Sequence, residues 1–326
     1  MEKASDNKKK RTRRILFAAA SVLLLFVVSW VIVRHTSSVT CTAWTRPDTG
    51  EEPYTESEQV FTAMSLSYLV YGCEGCGGIS GTVSDVLDTQ RMGIILENAD
   101  VSRTDKSDPA SALIDTASFI RQSVGHFRFL TDRKDTRSSF YGAAFADDER
   151  RVVWIAYSGS VSFKDAVQSS LLVVGAGPSA QEKQAFLFYE DVLAAAEIRD
   201  GYDLILTGHS LGGALACMVS RESGAAAVTI SGADGLANRK INDFAGDKPD
   251  EIRVKNYLTS PKGCGLSFKN LLQRAMLWGE YDGIDCRVYP INGMVDDAHC
   301  VFGFVRLEDG DPTKPVLPET LGQERD

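Results

Sequence analysis

Asp203-Leu-Ile-Leu-Thr-Gly-His-Ser-Leu-Gly-Gly-Ala-Leu-Ala216 is the stretch that decides how this chain is organised. Its apolar start, Leu204 to Leu206, suits a buried strand. The chain breaks at Gly208-His209-Ser210-Leu211-Gly212 and resumes as an Ala-rich helix to about Ser220. Gly-x-Ser-x-Gly between a strand and a helix is the nucleophile-elbow pattern, in which the serine sits on a sharp, strained turn. The two glycines are needed because side chains there would collide with neighbouring elements. Ser210 is thereby offered above the sheet at a helix N-terminus, where unpaired N–H groups and the helix dipole favour a developing negative charge. The alternative is a Gly-rich turn that merely contains a serine.

Working outward, 326 residues allow one large domain or two small ones, and 44% hydrophobic with 24% charged residues is a globular composition. The first fourteen residues hold seven of the 35 Lys and Arg and two of the 44 Asp and Glu, which leaves 28 basic and 42 acidic residues. A body carrying about −14 argues against nucleic-acid binding, which needs a basic face. With four histidines and no Cys/His cluster at zinc spacing, the chain offers no metal site, and no cofactor is expected.

Ile15 to Val33 is nineteen residues without a charge, long enough to cross a bilayer as a helix. Lys8-Lys9-Lys10-Arg11, Arg13 and Arg14 precede it and only Arg34 follows closely, so residues 1–14 are expected to be a cytoplasmic tail and the remainder to lie across the membrane. A cleaved signal peptide is the alternative, but no small-x-small site follows Val33. The segment 34–56, polar with Pro47, Gly50 and Pro53, reads as a stalk. Of seven cysteines, Cys217 lies in the elbow helix. Cys41, Cys73, Cys76, Cys264, Cys286 and Cys300 form an even set beyond the membrane, where disulfides persist, with connectivity left open.

Helical spacing covers Ser57 to Tyr71, Asp85 to Leu96 and Ala110 to about Leu130. Ser139 to Ala146 and Arg151 to Tyr157 flank Asp147-Asp-Glu-Arg150 and read as a hairpin whose second strand is apolar on both faces. A helix with a Ser179/Glu182 capping box follows, to about Arg199. After the elbow come strands at 227–231, 252–259 and 286–290, with a helix over 268–278 between the last two. Such alternation predicts an α/β fold, a mostly parallel sheet with helices on both faces, over residues 57–310, and a loose acidic tail over 311–326.

A serine hydroxyl needs a base within hydrogen-bond reach, and behind this elbow the partners follow in the order acid, histidine. His35, His126 and His209 all precede Ser210, so elimination makes His299 the base. The oxyanion hole needs two donors: the N–H of Leu211 directly after the nucleophile, and a second from a loop at the same end of the sheet. Ser158-Gly159-Ser160 follows a strand there, and Ser160 is assigned.

Gly-His-Ser-Leu-Gly-Gly-Ala-Leu-Ala, preceded some fifty residues earlier by Ile-Ala-Tyr-Ser-Gly-Ser and Asp165, resembles the class 3 (fungal-type) lipase family of α/β-hydrolases, over about residues 57 to 305. In that family the early strand ends in Arg-Gly-Ser or Arg-Gly-Thr, whose last residue joins the oxyanion hole; here Ser158 replaces the arginine. The resemblance implies hydrolysis of carboxylic esters, typically acylglycerols or phospholipids, and a lid in the region of Ser169 to Pro178, which reads equally as an apolar loop packed on the core. The family takes its acid from just past the strand matching Ile252 to Thr259, but Leu258-Thr-Ser-Pro261 stands there without a carboxylate. Asp234, after the preceding strand, is the assigned acid, because ligands and catalytic groups gather at the C-terminal ends of parallel strands. Asp297 and Asp296, beside His299, are alternatives. Asp285 and Asp282 precede the last strand and so fall at the opposite end of the sheet. A missing acid is the remaining alternative, and would make the chain a hydrolase-fold binding or assembly module. A thioesterase or peptidase of the same fold shares the triad. The expected partners are a lipid or ester substrate and the membrane holding the N-terminal helix; no protein partner is implied.

Overall fold

The computed structural model describes residues 41–47, 52–73, 81–88, 116–159, 180–232, 253–262, 273–274, 277, 284–290, 300–307 and 315–318. Helix α1 (Glu56–Gly72) opens on a capping box in which the Thr55 hydroxyl accepts from the Glu58 N–H and the Glu58 carboxylate accepts from the Thr55 N–H. Helix α2 (Val83–Leu87) starts on the same device, built from Thr82 and Asp85. After α3 (Thr116–Val124) come β1 (Arg128–Asp135), β2 (Phe140–Asp147) and β3 (Val152–Tyr157), then α4 (Ala180–Leu193) and α5 (Ala196–Arg199). Strand β4 (Asp203–His209) runs into α6 (Leu211–Ser223), followed by β5 (Ala226–Ile230), β6 (Val254–Ser260), β7 (Ile284–Pro290) and a short pair, β8 (Arg306–Leu307) and β9 (Pro315–Val316).

Strands β1 to β7 form one seven-stranded sheet in chain order. The β1/β2 and β2/β3 pairs are antiparallel and every pair from β3 to β7 is parallel. Alternation along β3 divides the core. Val152, Trp154 and Ala156 face α1, α2 and α3, while Val153, Ile155 and Tyr157 face α4 and α6. With both faces covered, β3 and β4 are buried along their whole length, which is why they read as unbroken apolar runs. The sheet is therefore mixed and mostly parallel, with helices on both sides.

Several elements depart from expectation. The helix expected over 110–130 ends at Val124, and Arg128 to Leu130 instead begin β1. Val124, Phe127 and Leu130 are spaced by three and mimic a helical stripe, but Phe127 and Phe129 are set into the core from extended chain. The helix expected to reach Arg199 is two helices, interrupted at residues 194–195. Of the helix expected over 85–96, α2 spans 83–87; of that over 268–278, residues 273, 274 and 277 are helical. Ser179, the proposed cap, and the lid candidate 169–178 lie outside the described residues, as does the apolar segment 15–33. Among the described residues no helix is long and apolar enough to cross a membrane.

Residues 41–46, assigned to a stalk on composition, lie against the domain. The Trp44 N–H donates to Ser223 O at 2.6 Å, the Thr42 hydroxyl donates to Glu190 at 2.8 Å, and Arg46 pairs with Asp203 at 2.8 Å. Asp203 is the first residue of β4 and Ser223 the last of α6, so this strap crosses the end of the sheet where parallel strands begin. Cys41 stands there as a thiol, not in the disulfide expected of it. Burial, with Glu190 and Glu222 nearby, pushes the thiol up to about 12. Cys76 and Cys264 lie outside the described residues.

Candidate active site

Ser210 stands between the last residue of β4 and the first of α6, with φ 57° and ψ −121°. For a residue with a side chain this positive φ is strained, and the surroundings over-determine it. The Ser210 N–H donates to Ile230 O at 3.2 Å, and Ser210 O accepts from the Ala214 N–H at 3.1 Å as the first bond of α6. A methyl group at Gly208 would lie 2.3 Å from the backbone carbon of Gly212, and one at Gly212 would lie 2.1 Å from the Tyr157 carbonyl oxygen. Only backbone fits at either place. The turn is thereby pressed onto the end of β3, and Ser210 is left half-buried with access to solvent. Leu211 is buried at the first position of α6, where a backbone N–H has no intrahelical acceptor.

The loop after β3 arrives beside this turn. The Ser158 N–H donates to Tyr141 O at 3.0 Å. A methyl at Gly159 would sit 2.7 Å from His209 O and 2.0 Å from the Tyr71 hydroxyl. The chain entering Ser160 is thus in backbone contact with the residue before Ser210; Ser160 itself lies outside the described residues. The imidazole of His209 is buried, with Nδ1 2.9 Å from the hydroxyl of Tyr71, the penultimate residue of α1. Burial pushes the Tyr71 phenol well above its usual range, and a backbone hydrogen bond from Gly159 pulls against that shift.

The third wall is the end of β5. Ser231 has φ 47°, and Gly232 is pinned twice by the buried Asn256 of β6: the Gly232 N–H donates to Oδ1 at 3.0 Å and the Asn256 amide donates to Gly232 O at 3.0 Å. A methyl at Gly213 of α6 would lie 2.7 Å from the Gly232 Cα, so the exit from β5 is packed directly on the elbow helix. Asp234 follows two residues later, outside the described residues, where His299, Asp296, Asp297 and Asp282 also lie. The residue after His299 is described. Cys300 opens a turn in which the Gly303 N–H donates to Cys300 O at 3.1 Å, and Phe302 packs on Tyr68, one turn before Tyr71, with ring centres 5.3 Å apart.

Asp285 is the one acid candidate among the described residues. It is exposed near the start of β7 and ion-paired at 3.0 Å to Arg287, which also holds Glu56 at the first residue of α1. Tyr71 is at the other end of that 17-residue helix, about 22 Å away at 1.5 Å per residue. Asp285 is therefore not brought to Ser210, for the reason its place ahead of a parallel strand suggests. After Ser260, the last residue of β6, the chain continues as Pro261-Lys262, without a carboxylate.

His126, Asp147 and Glu149 are grouped closely enough to hold a cation, but the Asp147 carboxylate accepts from Tyr54 OH at 2.6 Å, from the Glu149 and Arg150 N–H groups at 3.1 Å, and from the Arg150 guanidinium. It anchors the β2–β3 turn. Tyr71 and Asn256 went unremarked as site residues in the sequence because nothing in their immediate neighbours marks them; their partners come from other elements.

The sheet with a strained serine at its centre is an α/β-hydrolase-like fold. A model of the family described as Lipase (class 3) matches residues 161–223, from the loop after β3 through α6. Among solved structures, lipase II from Rhizopus niveus is similar at 13% identity, covering 63% of this chain and 71% of that one with a TM-score of 0.33. The Rhizomucor miehei lipase–propeptide complex is similar at 10% identity, covering 84% and 95% with a TM-score of 0.38. The Rhizomucor miehei triacylglyceride lipase is similar at 12% identity, covering 72% and 79% with a TM-score of 0.36. No curated protein matches the chain.

Proposed function

We propose that this chain is a membrane-anchored serine hydrolase of carboxylic esters, class 3 lipase-like, acting on lipids. The observation that carries the reaction class is Ser210, held at φ 57° on the N-terminus of α6 by glycines that admit no side chain. In this reading Ser210 Oγ attacks the ester carbonyl while His299 takes its proton. The oxyanion is met by the N–H groups of Leu211 and Ser160. The C–O bond then breaks, the alcohol leaves with the proton from His299, and water repeats the sequence on the acyl-enzyme. Asp234 orients His299, supported by the way Asn256 and Gly213 fix the exit from β5 two residues before it. Asp297 and Asp296 are the alternatives. The bare position past β6 favours one second reading, a hydrolase fold kept as a binding module without its acid.

A fluorophosphonate probe separates the two. An adduct on Ser210, with hydrolysis of short p-nitrophenyl esters that disappears in Ser210→Ala, is the expected result. Folded protein that takes no label removes the enzyme reading.

The anchor is residues 15–33, with the N-terminus cytoplasmic, the catalytic domain extracytoplasmic and the cysteines of residues 41–300 in disulfide-permitting surroundings. The strap supports this arrangement, because only seven residues, 34–40, separate the apolar segment from contacts that seat residues 41–46 on the domain. Retention of the full chain in membranes after carbonate extraction, and its release on deleting residues 1–33, is the expected outcome; a full chain found in the supernatant overturns the anchor.

A further inference from the structure

We propose that Tyr71 is a positioning residue of the oxyanion hole, its phenol tying the loop after β3 to the strand end that carries Ser210. The inference rests on the reading of Ser210 as nucleophile and deepens it. The two donors of the hole come from different segments, Leu211 from the elbow and Ser160 from the loop after β3, so their separation depends on what joins those segments. The sheet does so only up to a point: the last rung between β3 and β4 is Tyr157 with Gly208. Beyond that rung no ladder sets the distance between Ser158–Gly159 and His209–Ser210.

The Tyr71 hydroxyl fills this place. Its oxygen lies 2.0 Å from where a Gly159 methyl would be, and stands 2.9 Å from His209 Nδ1 and 3.5 Å from His209 O. The hydroxyl and Nδ1 share one hydrogen bond, its donor set by the imidazole tautomer. One hydroxyl thus stands between Gly159, the residue before Ser160, and His209, the residue before Ser210. Its support is stiff. The last turn of α1 is held by Tyr141, whose hydroxyl donates to Cys73 O at 3.0 Å, and by the Tyr68–Phe302 contact. Gly159 completes the arrangement, since any side chain would occupy the position of the hydroxyl.

Donors that must sit within a few tenths of an ångström of an oxyanion lose effect quickly when their spacing relaxes, and losing one donor outright lowers kcat about 10²- to 10³-fold. Tyr71→Phe keeps the ring and removes only the bridge. It should lower kcat for a p-nitrophenyl ester about 10- to 100-fold with KM changed less than about twofold. It should also weaken inhibition by an alkyl boronic acid, whose tetrahedral serine adduct puts an oxygen in the hole, by a similar factor. Gly159→Ala, which leaves the phenol present but pushes on it, should reproduce both losses. Circular dichroism melting reports whether each variant is folded. If folded Tyr71→Phe keeps kcat and boronate inhibition within twofold of wild type, the inference is wrong; it is equally wrong if kcat falls while boronate inhibition is unchanged, because the loss then lies outside the hole. Wild-type protein that neither hydrolyses the ester nor binds the boronate removes the nucleophile reading instead, and this inference with it.

Discussion

The two ends of the central sheet are built on different principles. At the C-terminal ends of β3, β4 and β5, backbone meets backbone: Gly159, Gly208, Gly212 and Gly213 each stand where a single methyl would come within 3 Å of another segment. The polar groups there are satisfied inside the protein, Tyr71 with His209 and Asn256 with the backbone of Gly232. At the opposite end, long charged side chains form ion pairs at or near the surface. Arg46 pairs with Asp203, Arg128 with Asp148 and Glu197, and Arg287 with Glu56 and Asp285. Atoms held by close packing and buried hydrogen bonds have one arrangement; screened ion pairs tolerate many. The contrast assigns precision to the Ser210 end and tolerance to the strap end.

The sharpest way to break this contrast is at the nucleophile. Ser210→Ala should lower ester hydrolysis by about 10⁴-fold or more while leaving the melting temperature near that of wild type, because it removes one hydroxyl from a turn that Gly208 and Gly212 hold. Gly212→Ala comes next. With Cβ 2.1 Å from the Tyr157 carbonyl, the turn must shift, costing about 1–3 kcal/mol in urea denaturation and about 100-fold in activity. Asn256→Ala should follow, since it strands the N–H and C=O of Gly232 at a buried site; a loss of about 2–4 kcal/mol is expected, with a fall in kcat. At the other end, Arg128→Ala should cost no more than about 1 kcal/mol, less in high salt, and leave kcat unchanged. A substitution at one of these ion pairs that cost as much as Asn256→Ala would erase the distinction.

The same contrast has a mild pH signature. The hydrogen bond from Arg46 holds Glu52 below the usual carboxylate range, that from Arg128 does so for Asp148, and the Thr55 backbone N–H does so for Glu58. A carboxyl depressed in the folded state adds stability above its unfolded pKa and loses it as pH falls through the folded value. The melting temperature should therefore be flat from neutrality to about pH 5 and decline below about pH 4. A melting temperature that held steady to pH 2 would mean these pairs contribute nothing.

Much of the fold was legible because its signals are local. The apolar run of β4, the glycines on either side of Ser210 and the small residues of α6 lie within one stretch, and the observed strand and helix keep nearly the bounds they were read with. The β2–β3 hairpin was legible for the same reason. Strand β1 was not: Phe127 and Leu130 continue the spacing of the helix before them, and only pairing with β2 makes that segment extended. The strap was read as a stalk because polar composition with Pro and Gly describes exposed chain, and the contacts that seat it come from Glu190 and Ser223 far along the sequence.

The sequence by itself determined the kind of turn that presents Ser210, since a strained serine between a buried strand and a helix is written in neighbouring residue types. Only the tertiary structure decided what surrounds it. Tyr71 reaches His209 across 138 positions and Asn256 reaches Gly232 across 24, so neither partnership leaves a mark on the pattern of its own element. The same folding separated Asp285 from Ser210, because β7 enters the sheet at the end where Arg287 can hold Glu56. Local backbone preference selects the elements; the distances that give a hydroxyl its chemistry are set where those elements meet.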